Sequence, residues 1–344
     1  MFNDKYGYAV SECLKNSELK GKIMLSIVIP TYKRAKYLEQ AINSAVNQKK
    51  CGMEYEIIVI NNDPSDDMKD IIAKYQNVEK LSFYRNKENI GMAGNINRCA
   101  LLAKGKYVAY LHDDDLLKDN YIQKIEYILK KYDNSDVGSF VVNREYLFMK
   151  KDMMKSNKLK DLIKKCVQIP FFFRYFYRRS VETLTPEKVL LGWNKNYYLA
   201  PTCGTLFHRE KMIEMGLYDE ELYPAFDYVF FLQLNRKYKI LFIREPLGVY
   251  RWDENASTKS EERIRTCLIR LKLINRSYKN QKCNEFFTKY REVLNYIELN
   301  KYTEEEKAEI IKRSKILVTS QNRRNVLRFK ISNYCYRMIN NLDY

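Results

Sequence analysis

Two rhythms of apolar residues alternate along the first third of the chain. Residues 25–30, Leu-Ser-Ile-Val-Ile-Pro, form an apolar run stopped by proline, which predicts a buried strand. Leu38, Ile42, Ala45 and Val46 then recur at helical spacing. Residues 55–60 repeat the strand pattern and end in the polar cluster Asn61-Asn62-Asp63-Pro64-Ser65. Ile71, Ile72 and Tyr75 mark a second helix, residues 81–84 a third strand, residues 91–103 a third helix and residues 106–111 a fourth strand. Strand and helix alternate in this way from residue 25 to about 132. That alternation predicts an α/β fold with a mostly parallel central sheet flanked by helices.

The pattern is less regular over 134–200. It then predicts helices over 208–215 and 227–238 and short strands over 240–243 and 247–252. From about 261 onward it reads as helical, a C-terminal helical extension. The expected organisation is an N-terminal extension (1–23), a main domain (24–260) with halves at 24–132 and 133–260, and a helical region (261–344).

Ligands of open parallel sheets bind beyond the carboxyl ends of the strands. Three polar loops, 31–34, 61–67 and 112–115, therefore converge at one edge. The last holds Asp113-Asp114-Asp115 directly after a buried strand. Adjacent carboxylates repel, and a hard divalent cation such as Mn²⁺ or Mg²⁺ relieves them. A helix N-terminus also accommodates Asp, so capping is the competing reading. Neither a GxGxxG nor a GxxxxGK[ST] motif occurs, which disfavours a dinucleotide fold or a P-loop.

Charge and composition narrow the classes further. The chain of 344 residues has a formal net charge of +18, which suggests an anionic partner. Residues 150–179 hold ten Lys or Arg against two Asp, and residues 311–344 eight against one. Together these carry +15 of the total, leaving the rest of the chain near neutral. Two His, at 112 and 208, rule out a His-rich metal site. The eight Cys are at least sixteen positions apart, which excludes a CxxC site and fits free thiols in a reducing compartment. No window approaches the ~18 continuous apolar residues of a membrane span.

The blocks "LSIVIPTYKRAKYLEQAINSAVNQ" (25–48), "YEIIVINNDPSDD" (55–67), "NIGMAGNINRCALLAKGKYVAYLHDDD" (89–115), "GTLFHREKMIEMGLYDEELYPAFDYVFFLQL" (204–234) and "YRWDENAST" (250–258) resemble, in order, those of family 2 glycosyltransferases. The resemblance implies a GT-A fold, a nucleotide-sugar donor (UDP-sugar by preference), a divalent cation and inversion at the anomeric carbon. It matches Asp113 and Asp115 to the outer positions of the DXD motif, with Asp115 and Asp113 on the metal and Asp113 and Asp114 toward the donor. His112 stands where the family often has Asp. Thr31, Tyr32, Asn61, Asn62, Asn89 and Gly91 fall on donor-binding positions, although the family usually has Asp where Asn61 and Asn62 stand. Asp227 matches the general base, preceded here by Phe226 rather than Glu, with Asp219 and Glu220 as nearby acids. Arg251 reads either as a contact to diphosphate or acceptor or as a solvated strand-end charge. Trp252 reads as a sugar-stacking or a core residue. Lys33 and Arg34 read as phosphate contacts or as surface charge at a helix start.

The expected activity is single-sugar transfer to a lipid-linked or surface-polysaccharide acceptor. In the tail, Leu327, Ile331, Tyr334, Cys335, Met338 and Leu342 share a helix face with a basic remainder. That face suits an anionic membrane surface or packing on the chain's own domain. The expected location is cytoplasmic, peripheral on the inner face of the membrane, with no nucleic acid as partner. The competing readings are a basic nucleic-acid-binding protein, for which no helix-turn-helix, zinc-finger or RNP motif is present, and a catalytically silent GT-A scaffold.

Overall fold

The computed structural model describes residues 11–148, 181–185, 189, 202–252, 259–279 and 302–314, with backbone alone at 148, 252 and 274–279. The basic stretch 150–179 and the tail beyond 314 lie outside the described residues, as does the side chain of Trp252. The chain divides into two compact units: Met1–Glu221 with Phe226–Asp253, and Leu222–Ala225 with Glu254–Tyr344.

In the first unit the alternating pattern becomes β2 (Leu25–Thr31), α1 (Ala35–Val46), β3 (Tyr55–Asn61), α2 (Lys69–Lys74), β4 (Leu81–Asn86), α3 (Gly91–Leu102) and β5 (Tyr107–Tyr110). An edge strand, β1 (Ser11–Lys15), precedes them and pairs antiparallel with β4. The strands β4, β3, β2 and β5 are neighbours in that order and all parallel. Helices cover both faces of such a sheet, so Leu25, Ile27, Val28 and Ile29 are fully buried, as a continuous apolar run requires. Leu38, Ala41, Ile42 and Ala45 are the buried stripe of α1.

The break in that run, Ser26, is satisfied at depth. Its hydroxyl donates to Glu56 Oε1 at 2.6 Å and accepts from the Gly105 N–H at 2.8 Å. Glu56 also accepts from the Lys104 N–H, so this buried carboxylate staples three strand ends together.

Beyond β5 the chain makes β6 (Leu116–Leu117), α4 (Tyr121–Tyr132), β7 (Val137–Phe148), β8 (Val181–Leu184), β9 (Leu206–His208), α5 (Arg209–Glu214), α6 (Phe226–Leu234) and β10 (Lys239–Trp252). The described sheet has ten strands. Its second half mixes directions: β9 runs antiparallel between β5 and β7, whereas β10 is parallel to β7.

Two expected boundaries move. The strands expected at 240–243 and 247–252 are one strand, β10, whose register shifts between Ile243 and Gly248. Pro246, which has no N–H to give, sits in that irregularity. The helix expected over 227–238 stops at Leu234 because the next turns tighten. Arg236 N bonds Gln233 O and Lys237 N bonds Leu234 O, three residues back rather than four.

The second unit is helical where described, with α7 (Ser260–Lys279) and α8 (Glu304–Ser314). Ile264, Cys267, Leu271, Tyr302 and Ile310 form its core. A capping box starts α8: the Thr303 hydroxyl accepts from Glu306 N, and Glu306 accepts from Thr303 N at 2.9 Å. Arg263 of α7 donates to the same carboxylate at 2.9 Å and 3.2 Å.

Burial pushes the Glu306 pKa up, but the bonds from Arg263 and Thr303 outweigh it and hold the group below its ordinary value of 4.5. A depressed carboxylate stabilises the fold above the unfolded pKa and loses that contribution as pH falls through the folded one. Glu306→Gln should therefore cost about 2 kcal/mol near neutral pH. Hydrogen exchange of the α8 amides should be about 30-fold faster in the variant at pH 7, and the difference should shrink below pH 4.5. An unchanged exchange rate at pH 7 would count against this role.

Candidate active site

Strand register brings the three polar loops together. Leu25 to Thr31 pair in step with Tyr55 to Asn61, so β2 and β3 end level. Asn62 N then donates to Thr31 O at 2.9 Å, joining the first two loops. Beside them, β5 pairs with the first half of β2, and Leu111 N donates to Val28 O. The chain thus releases residues 112–115 at the same edge.

Asparagine side chains set the middle loop. Asn62 donates to Asn89 Oδ1 at 2.7 Å and Gly91 O at 3.1 Å, and accepts from Asn86 Nδ2 at 3.0 Å and Ile90 N at 3.1 Å. All four of its hydrogen-bonding positions are filled, so it shapes the loop and has none left for a ligand. Asn89 also accepts from the Gly91 N–H. Gly91 has φ +75°, a left-handed conformation that glycine adopts readily. Asn61 donates to Asp66 Oδ2 at 2.9 Å and to Asp66 O at 3.5 Å and accepts from Asp63 N at 3.0 Å, which leaves one lone pair. Tyr32 is exposed at 42%.

The acidic loop is buried. Asp113, Asp114 and Asp115 are 6%, 7% and 0% exposed. Thr31 Oγ1 donates to Asp113 Oδ2 at 2.8 Å. Arg34 Nη1 lies 2.5 Å from Asp114 Oδ2 and 3.6 Å from Asp113 Oδ1. Asp115 Oδ1 accepts from the Arg251 N–H at 2.9 Å, while its buried Oδ2 has no hydrogen-bond partner. Burial pushes Asp113 up to about 6, opposed by the Thr31 hydrogen bond and reinforced by Asp114. Burial, then the charge of Asp114, pushes Asp115 well above the carboxylate range. His112, which burial holds below its usual pKa, pairs through Nε2 with Thr202 Oγ1 at 2.9 Å.

Arg251 is 4% exposed, so the reading of it as a solvated strand-end charge gives way to a buried role. Its guanidinium lies 4.4 Å from the centre of the Tyr37 ring, donates through Nε to Asp114 O and through Nη2 to Gln40 Oε1, each at 2.8 Å. It ties β10 and α1 to the acidic loop.

Asp227 is half-buried in the first turn of α6, with Oδ1 accepting from Tyr228 N at 2.7 Å. Its helix rests on aromatic residues. The Tyr218 ring lies 5.2 Å from Phe226, 5.1 Å from Phe230 and 6.1 Å from Tyr110 of β5. Asn97 clamps that tyrosine by bonding its backbone N–H and C=O. Burial, then the charge of Asp227, pushes the Tyr218 hydroxyl well above its ordinary pKa. The same β5 thus carries the acidic loop and supports the helix of Asp227. Asp219 is exposed and caps a turn through Glu221 N.

A cavity of about 560 Å³ opens at this edge, lined among others by Thr31, Arg34, Asn61, Asp63, Asp66 and Met68. Its acids Asp63 and Asp66 carry no role in the sequence reading. They lie in the polar loop 61–67, and in the structure Asp63 Oδ1 accepts from both Ser65 N and Ser65 Oγ. A second cavity lies at the opposite end of the sheet, where Lys106 pairs with Asp133 at 2.5 Å.

This arrangement of parallel strands, mixed second half and loops at one edge is the GT-A class of fold. Residues 26–185 match the family model described as glycosyl transferase family 2. An uncharacterized glycosyltransferase of Methanocaldococcus jannaschii is 26% identical over 236 residues, covering 67% of this chain and 71% of the relative. The putative teichuronic acid biosynthesis glycosyltransferase TuaG of Bacillus subtilis is 28% identical over 112 residues, 32% of this chain and 44% of its own. Among solved structures, S. aureus TarS 1-349 in complex with UDP-GlcNAc superposes with a TM-score of 0.56 at 15% identity, over 89% of this chain and 79% of that one.

Proposed function

We propose that the protein is a metal-dependent, inverting glycosyltransferase that moves one sugar from a nucleotide sugar, by preference a UDP-sugar, to a hydroxyl of a lipid-linked or surface-polysaccharide acceptor. The observation that carries this reading is the buried acidic triplet at the edge where the nucleotide-side loops meet. The TarS complex supports the donor class, and TuaG, a relative named for teichuronic acid biosynthesis, supports the acceptor class.

The acidic loop suits a divalent cation on two counts. Three adjacent carboxylates are desolvated, and Asp115 Oδ2 is an orphaned buried oxygen. Among the described residues no group of three His, Cys, Asp or Glu side chains is arranged to hold a metal ion by itself. A cation shared with donor phosphates needs only one or two protein carboxylates. Asp115 and Asp113 would hold it, with Asp114 beside them, and it would neutralise the charge of the departing diphosphate. Thr31, Tyr32 and Asn61 border the donor pocket, and Asn62, Asn89 and Gly91 shape its floor. Arg251 positions the acidic loop, and Trp252, next in β10, is assigned to the acceptor side. Asp227 accepts the proton of the attacking acceptor hydroxyl.

Residues 24–132 form the donor half in this reading and 133–260 the acceptor half. The basic stretches 150–179 and 311–344 attract the anionic inner face of the membrane, where a lipid-linked acceptor resides. Among the described residues no helix is long and apolar enough to cross a membrane.

The test is product analysis with Mn²⁺, a panel of nucleotide sugars and lipid-linked acceptors. The expected product carries one added sugar of inverted anomeric configuration by NMR. Retained configuration or polymer from a single acceptor would contradict the mechanism.

A further inference from the structure

The acidic triplet already has a cation beside it. Arg34 stands at the N-cap of α1, just after Lys33 turns the chain at φ +56°. Its guanidinium pairs with Asp114 at 2.5 Å and faces Asp113 at 3.6 Å. The two carboxylate side chains are 9% and 8% exposed, whereas the Arg34 side chain is 41% exposed and borders the donor cavity. The anions are therefore fixed in the protein, and the cation is held from the solvent side. Arg251, in contrast, is buried on Tyr37 and contacts Asp114 through its backbone oxygen.

We propose that Arg34 is a displaceable counter-cation of the acidic loop. In the ligand-free protein it neutralises Asp113 and Asp114 and opposes entry of a divalent cation by charge repulsion and by occupying their oxygens. When cation and donor bind together, the guanidinium leaves the carboxylates and turns to the diphosphate, for which its planar fork is suited. Two consequences follow from linkage. Cation alone binds weakly, and nucleoside diphosphate strengthens cation binding by more than its own phosphate ligands would. Arg34 thus couples cation binding to donor binding, and this rests on the cation reading of the acidic loop.

The experiment is Mn²⁺ titration of the full chain, read by loss of the free-ion EPR signal, with and without UDP. Arg34→Gln should bind Mn²⁺ about tenfold more tightly than wild type without UDP, and gain less from UDP. Arg34→Lys, which keeps the charge, should stay within about threefold of wild type without UDP. In the wild-type protein, arginine-directed labelling at Arg34, followed by mass spectrometry, should accelerate with Mn²⁺ alone and slow again when UDP is added. That measurement needs no variant to fold. Equal or weaker Mn²⁺ binding by folded Arg34→Gln, or a labelling rate indifferent to Mn²⁺ that is shown to be bound, would overturn the role of Arg34. Failure of the wild type to bind Mn²⁺ even with UDP would instead remove the cation reading, and this proposal with it.

Discussion

Asp227→Asn should bind its nucleotide sugar as well as wild type and transfer the sugar about 10³-fold more slowly, since a positioned general base contributes roughly 10²–10⁴. The substitution is isosteric and leaves the carbonyl oxygen that accepts from Tyr228 N. It sits on a helix whose packing depends on Phe226, Tyr228 and Phe230 rather than on the carboxylate. The loss should appear in kcat and not in donor affinity, because the proton is taken from the acceptor hydroxyl. Initial rates at saturating donor, with donor affinity measured separately, check this. Turnover within tenfold of wild type would assign the base to another acid, with Asp219 and Glu220 the first to examine.

The second large effect concerns the acidic loop and has two opposite signs. Asp113→Asn removes one carboxylate from a crowded, desolvated triplet. The ligand-free variant should be at least as heat-stable as wild type, because relief of burial and of repulsion from Asp114 offsets the weakened bond from Thr31 and the lost attraction of Arg34. The same change should remove most of the rise in melting temperature that Mn²⁺ with UDP gives wild type. It should also lower donor turnover by about 10³-fold, the scale expected of several kcal/mol of charge stabilisation. Chelation of wild type should reproduce the loss of turnover, and Mn²⁺ should restore it. If Asp113→Asn simply lowered ligand-free stability and left the response to Mn²⁺ intact, the triplet would be structural.

The sequence carried the first half of the fold well because its strands are buried on both faces. Leu25, Ile27, Val28 and Ile29 leave no polar face to confuse with a loop. It carried the second half less well. The three residues of β9 are too few for periodicity to register, and β10 crosses a proline that reads as a stop.

The site shows the same division. The carboxylates of 113–115 announce themselves by crowding. Arg251 does not, because its burial depends on Tyr37 and Gln40, more than two hundred positions earlier. Asn62 falls on a donor-binding position by resemblance, yet its four hydrogen bonds are all made to neighbouring protein groups. Arg34 looked like surface charge because its partners, 79 and 80 positions later, meet it only through the register of β2 with β5. Side-chain identity announces chemistry, whereas which side chains remain available is decided by long-range packing.

One site at the acidic loop should take nucleotide and cation together. Isothermal titration of UDP into the full chain, with and without Mn²⁺, compared with the variant carrying Asn at 113, 114 and 115, tests this directly. The expected result is UDP binding that Mn²⁺ strengthens at least tenfold in wild type and leaves unchanged in the folded variant. UDP binding that ignores both Mn²⁺ and the acidic triplet, or tight salt-sensitive DNA binding with no affinity for nucleotide, would contradict it.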